Sequence, residues 1–255
     1  MTVYTKVLTP PAVQRGSRSC VADAKVYVSH TFKPRMDALP PAQQRVWPEL
    51  RKAPDLGFTL YGGTAIALRL GHRESVDFDF FSEKPLDREA IKEFFPFMAQ
   101  ATTLQDHENT WVVLTPECGS TNERVKVSFF GTIAFGRVGE PDFTEDGVLQ
   151  VASFDDLMAT KVKVVLQRAE AKDYRDVAAM LNAGVSLSRG LSAARLLFGP
   201  NFQPSESLKA LVYFKDGDLS ALTAAEKNTL VDAVKAVRDL PDVTLVSKRL
   251  RGMEP

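Results

Sequence analysis

The stretch from Phe58 to Phe81, FTLYGGTAIALRLGHRESVDFDFF, restricts the fold more than any other part of the chain. FTLYGG reads as a short strand, with Phe58 and Leu60 apolar, broken by the pair Gly62-Gly63. TAIALRLG reads as a brief helix, with Thr64 placed to cap it and Gly71 to stop it. ESVDFDFFS is the clearest strand in the sequence. In it Val76, Phe78 and Phe80 alternate with Ser75, Asp77 and Asp79.

Around this segment the chain divides by pattern. Residues 1–35 are rich in Pro, Ser and Thr and carry Lys6, Arg15, Arg18, Lys25, Lys33 and Arg35 against the single acid Asp23. They read as a solvated, loosely packed arm, the other reading being a segment that touches RNA or a partner. MDALPPAQQRVWPELRK predicts a helix with Pro40 or Pro41 near its start and Pro54 at its end. LDREAIKEFFPFM predicts an amphipathic helix limited by Pro96. ATTLQD, TWVVLT and ERVKVSFFG are strand candidates, and GRVGEPDFTEDG reads as a turn-dense linker. From Phe154 the pattern is helical, beginning with FDDLMATKVKVVLQR and AKDYRDVAAMLNAG. The expected class is α+β: a small mixed sheet flanked by helices over residues 36–150, then a helical portion over 151–255.

Composition excludes several functions. Lys plus Arg equals Asp plus Glu, 32 of each, so the formal charge is zero and nucleic-acid contact must come from local basic patches. Cys20 and Cys118 make no disulfide framework. His30, His72 and His107 lack zinc-ligand spacing. The N-terminus shows no signal pattern and no apolar run approaches membrane-spanning length, so no membrane association and a cytoplasmic location are expected. There is no GxSxG elbow, P-loop or HExxH. Trp111, Phe94, Phe95 and Phe97 are expected to fill core, and His72 to sit in a turn with no general-base partner. Arg69 and Arg73 are candidates to steer phosphate.

The acidic strand carries the chemistry. Residues two apart on a strand point the same way, so Asp77 and Asp79 share one face about 7 Å apart along the chain. Two such carboxylates suit a divalent cation held through oxygen, which can bridge phosphates and absorb charge on phosphorus. Gly62 and Gly63, without side chains, let backbone N–H groups approach a phosphate, and the following helix adds the positive end of its dipole. An Asp-x-Asp alone is common on surface strands. Its combination with the glycine pair and short helix is what carries weight.

In the later segment, Lys161 and Arg168 stand nearly two helical turns apart and so share a face, with Met158, Val162, Val165 and Leu166 as the core stripe. That face reads either as a triphosphate clamp opposite Asp173 and Asp176 or as solvated charges in local pairs with Lys172 and Arg175.

The run from Gly62 to Phe81 resembles the glycine-pair and Asp-x-Asp signature of the DNA polymerase beta-like nucleotidyltransferases. More narrowly, GGTAIALRLGHR before the acidic strand is similar to the AbiEii/AbiGii abortive-infection toxin family. LMATKVKVVLQRAEAKDYRDVAAML resembles that family's downstream element. The resemblance covers roughly Phe58 to Leu181. It implies that Gly62, Gly63 and Thr64 contact nucleotide phosphates, that Asp77 and Asp79 hold Mg²⁺ or Mn²⁺, and that Lys161, with Arg168 nearby, reaches the triphosphate of an NTP. Asp173 and Asp176 match its second acidic pair, where an acid is thought to help catalysis.

The same resemblance implies a toxin with a separate antitoxin protein in a toxin–antitoxin or phage-defence pair. The acceptor hydroxyl would belong to tRNA or another RNA. One departure stands out: in ERVKVSFFG, where the wider superfamily places a third carboxylate, the sequence has Ser128. Asp173, Asp176 and Glu123 are the alternatives for its role as base. Transfer to a protein side chain, and a non-catalytic nucleotide-binding module, remain the rival readings.

Overall fold

The acidic strand lies in the interior of one sheet, eight-stranded among the described residues. The computed structural model describes residues 30–117 and 123–252. The strands are β1 (Thr31–Phe32), β2 (Thr59–Tyr61), β3 (Asp77–Phe81), β4 (Thr102–His107), β5 (Thr110–Leu114), β6 (Lys126–Phe130), β7 (Asp142–Thr144) and β8 (Gln150–Val151). Their order across the sheet is β1-β7-β8-β2-β3-β6-β5-β4. Strand β3 pairs antiparallel with β2 and parallel with β6. The sheet is mixed and the fold is α+β, as the sequence predicts.

The alternation in β3 sorts its two faces. Phe78 and Phe80 are fully buried. They join Phe58, Phe95 and Phe129 in a core of aromatic rings, with Phe58 and Phe129 centred 5.3 Å apart and Phe95 and Phe129 5.4 Å apart. Burying each such ring contributes about 1.5–3 kcal/mol, which fixes the register, because a one-residue slip would turn the aspartates inward. Trp47 packs on Phe78. It lies where helix α1 (Pro41–Val46), which has Pro41 at its first position, passes into a 3₁₀ segment, Trp47–Lys52. Helix α3 (Arg88–Phe94) begins at the cap Asp87 and gives way to a 3₁₀ turn at Pro96.

Helix α2 (Gly62–Leu70) ends where Gly71 takes left-handed backbone, φ 63°, as expected of a C-terminal glycine. The later helices are α4 (Phe154–Val164), α5 (Ala171–Asn182), α6 (Leu187–Phe198), α7 (Pro204–Leu211) and α8 (Ala224–Ala236). Ser153, Ser186 and Thr223 cap α4, α6 and α8 through their side chains, which fixes where these helices start. Helices α4 and α5 both pack on α2, so the helical portion lies against the glycine turn.

Several expectations change. Helix α2 starts at Gly62, and Thr64 lies inside it rather than capping it. Val76 precedes β3 and is exposed, because the strand's pairing begins only at Asp77. Phe94 and Leu166 are also exposed, while Trp111, Phe95 and Phe97 are buried as expected. The presumed linker contains β7, and Thr31 and Phe32 of the presumed arm form β1 beside it. The remainder of the arm through residue 29, with Cys20 and Cys118, lies outside the described residues. The expected boundary after residue 150 falls inside β8, and one buried core runs continuously across it, from Leu60 through Val151 to Leu157.

Candidate active site

Asp77 and Asp79 project from the β3 face opposite Phe78 and Phe80, into a cleft of about 660 Å³. Tyr61 stands opposite Asp79 in the β2–β3 ladder, so the next residue, Gly62, turns directly beside that carboxylate. Gly62 has φ +78°, a backbone that L side chains rarely adopt. The turn launches α2 at once, so the amides of its first turn, which have no partner within the helix, belong to Gly62, Gly63 and Thr64. Thr64 has a structural task as well. Its hydroxyl donates to the backbone carbonyl of Asp77 and shares a 2.7 Å hydrogen bond with the hydroxyl of Ser75. It thereby fastens the helix to the start of the acidic strand.

The parallel strand β6 supplies the neighbours of both acids. Lys126 is in register with Asp77 and Ser128 with Asp79. Lys126 Nζ lies 2.9 Å from Asp77 Oδ2. The Ser128 hydroxyl hydrogen-bonds to Asp79. Burial pushes the Asp79 carboxyl above the ordinary range; the Ser128 hydrogen bond works against this, and the charge of Asp77 adds to it. A divalent cation between the two acids would relieve both the burial and the repulsion, so the pair fits such an ion chemically. Among the described residues no third His, Cys, Asp or Glu completes the group, leaving other ligand positions to substrate oxygens and water.

The far wall is built by α4, α5 and the turn after α2. Lys161 Nζ lies 2.6 Å from Asp173 Oδ1 and 2.7 Å from Asp176 Oδ2. Arg168 Nε donates to Asp173 Oδ2 at 2.7 Å. Arg73 donates to both oxygens of Asp176, at 2.7 and 3.0 Å, and His72 Nε2 lies 2.7 Å from Asp176 Oδ1. Both acids are fully buried. Burial alone would push each carboxyl up. For both, the Lys161 ammonium together with the other partners (Arg168 at Asp173, His72 and Arg73 at Asp176) outweighs burial, and each is held below the ordinary range. Such carboxylates are weak bases and firm anchors.

The cleft therefore brings together Gly62, Gly63, Thr64, Asp77 and Asp79 on one side with Lys161, Arg168 and Asp173 on the other. Asp176 stands behind the wall and acts on the cleft through Lys161 and Arg73. Helix α4 ends at Val164, so Arg168 shares no helical face with Lys161; the turn that follows swings it back to Asp173. Arg69 does not face the cleft. It is buried against Asp142 at 2.6 Å and the carbonyls of Val151 and Ala152. Contrary to expectation, His72 does have an acid partner.

The sequence reading missed Lys126 and the bonds of His72 and Arg73 to Asp176. Alternation along β6 sets Lys126 on the same face as Ser128, but only strand pairing says which acid it meets.

Sheet, glycine turn and paired acids define a nucleotidyltransferase fold. A solved structure of a candidate nucleotidyltransferase from H. pylori superimposes with a TM-score of 0.51 at 17% identity, covering 75% of this chain and 91% of that one. The chain belongs to the AbiEii family, the nucleotidyl transferase toxins of type IV toxin–antitoxin systems, whose family model matches residues 49–246. An uncharacterized protein of Aquifex aeolicus (strain VF5) is 30% identical over 174 residues, 66% of this chain and 80% of that protein.

Proposed function

We propose that this chain moves a nucleoside monophosphate from an NTP to an acceptor hydroxyl, with Asp77 and Asp79 holding Mg²⁺ or Mn²⁺. The observation that carries this reading is the position of Asp79 against the Gly62 turn, with Asp77 on the same strand face. Acidic oxygens for a cation and free helix amides for phosphate then open onto one cleft. The bound ion would supply charge neutralisation on the triphosphate and orientation of its oxygens.

This chain's residues do the rest. The amides of Gly62 and Gly63 receive phosphate oxygens. Lys161, itself buried, fixes Asp173 and Asp176 and presents positive charge from the far wall, with Arg168 and Arg73 flanking it. The acceptor oxygen bonds to the α-phosphorus, the bond to the β-phosphate oxygen breaks, and pyrophosphate leaves. The hydroxyl proton passes to solvent: Ser128 rather than a carboxylate stands beside Asp79 on β6, and the oxygens of Asp173 and Asp176 are taken up by Lys161, Arg168, Arg73 and His72.

Family membership supports a toxin with an antitoxin partner; the acceptor in this reading is tRNA or another RNA, which the labelling test decides. Ser128 favours a second reading, a nucleotide-binding module without transfer. The test is incubation with each labelled NTP, Mg²⁺, and total tRNA or total protein. Label in RNA is expected. Label in protein alone would move the acceptor class, and label in neither, with NTP still bound, would establish the second reading. Asp79→Ala should abolish transfer.

A further inference from the structure

We propose that Lys126 supplies the charge of a second cation, so that the cleft takes one divalent ion rather than two. This rests on the reading of Asp77 and Asp79 as cation ligands. Enzymes that join a nucleotide to a hydroxyl often clamp the attacking and leaving oxygens between two metal ions. Two ions about 4 Å apart need several carboxylates to offset their charge. Among the described residues no third acid joins the pair on β3 in one group, and Asp173, which also lines the cleft, is already held by Lys161 and Arg168.

Strand β6 explains how the site is completed. Parallel pairing sets Ser128 beside Asp79 and Lys126 beside Asp77, on the same sheet face as both acids. The ammonium of Lys126 is 2.9 Å from Asp77 Oδ2, a cation's position against that carboxylate, and its side chain lines the cleft at 39% exposure. Lysine carries a compact point charge on a flexible stem, so it can follow a phosphate or acceptor oxygen while remaining at Asp77. One divalent ion plus Lys126 brings three positive charges to two carboxylates. A second divalent ion would bring five and would stand within repulsive range of the ammonium. The bland alternative, a cross-strand surface pair worth tenths of a kcal/mol, would leave cation binding unchanged when Lys126 is removed.

Binding of Mn²⁺ to the full chain, followed by electron paramagnetic resonance of the free ion, tests this without any measurement of transfer. The wild type is expected to bind one Mn²⁺ in the cleft, lost in Asp79→Asn. Lys126→Met should tighten that site by at least about tenfold, because a competing charge is gone. Lys126→Arg should leave it as it is. Lys126→Met combined with Ser128→Asp should bind two ions, whereas Ser128→Asp alone, with the ammonium still present, should bind one.

Two ions in the wild type, or a Lys126→Met affinity within twofold of wild type, would overturn the inference and leave the acidic pair standing. No Mn²⁺ bound by the wild type would instead remove the cation reading of Asp77 and Asp79 itself.

Discussion

A methyl group placed on Gly62 would stand 2.6 Å from Asp79 Oδ2, closer than real Cβ contacts come. The glycine is required twice over, by that approach and by its φ of +78°. Gly62→Ala should therefore cost about 1–2 kcal/mol of stability from the left-handed backbone and displace the carboxylate. Transfer activity should fall by at least about tenfold. Label transfer and thermal unfolding on the same preparation check this, and an alanine variant with wild-type activity would disconnect the turn from the site.

Lys161 is a structural keystone of the far wall before it is anything else. Replacing it by Met leaves two fully buried carboxylates without their shared ammonium. The expected destabilisation is on the order of 3 kcal/mol, since Asp173 is left with Arg168 alone and Asp176 with Arg73 and His72, both acids only partly compensated. Urea unfolding of Lys161→Met measures it. A loss of activity with unchanged stability would give the lysine a purely chemical role.

Asp156 should give the fold an unusual pH dependence. Its buried carboxyl is pushed up to about 6, against hydrogen bonds from Ser153 and the amides of Val138 and Gly139. A folded value raised above the unfolded one gives stability that is complete below the ordinary carboxylate range and lost as pH rises through about 6. Between pH 4.5 and 7 the wild type should lose on the order of 2 kcal/mol relative to Asp156→Asn. Urea midpoints of both proteins at the two pH values decide it. A constant gap between them would contradict the raised value.

Asp176 works in the opposite sense. Its carboxyl is held down, so the stability it contributes is present above the ordinary carboxylate range and fades as pH falls below it. Asp176→Asn should therefore lose stability at pH 7 and differ progressively less from wild type in acid. Unfolding at pH 7 and pH 3 reads this directly.

Arg69 should behave as a staple, with no part in phosphate binding. It stacks over Phe32 and Phe154, its guanidinium carbon 4.5 and 5.0 Å from the ring centres, and pairs with Asp142 at 2.6 Å. Arg69→Met should cost about 2–4 kcal/mol through the abandoned acid and carbonyls. Nucleotide affinity measured at a temperature where the variant stays folded should be unaltered.

The acidic strand was legible because alternation at period two needs no knowledge of neighbours: Phe78 and Phe80 had to go inward, so Asp77 and Asp79 had to face the other way. The glycine turn and Gly71 were legible for the same local reason, since their backbone conformations are ones that other residues avoid. Short, weak strands were not. Thr31–Phe32 and Asp142–Thr144 exist because they pair with each other and with β8 at the sheet's edge, and nothing in either segment announces it. Thr64 looked like a cap because a cap is what a threonine near a helix start usually is. Here the Gly62 turn starts the helix two residues earlier, and the hydroxyl is spent on Ser75 and the Asp77 backbone.

The sequence by itself determined which side chains carry charge and, on β3, which face the acids and the phenylalanines occupy, because both follow from residue type and backbone period. Tertiary structure decided which charges meet. That Lys126 pairs with Asp77, that Ser128 bonds Asp79, and that His72, Arg73, Lys161 and Arg168 converge on two buried acids all depend on strand register and helix packing. Most of those relations join segments far apart along the chain: Lys126 and Asp77 lie on different strands, and His72 and Arg73 are over a hundred residues from Asp176. They are set by burial of the shared core, which acts on the whole fold at once and leaves no local signature.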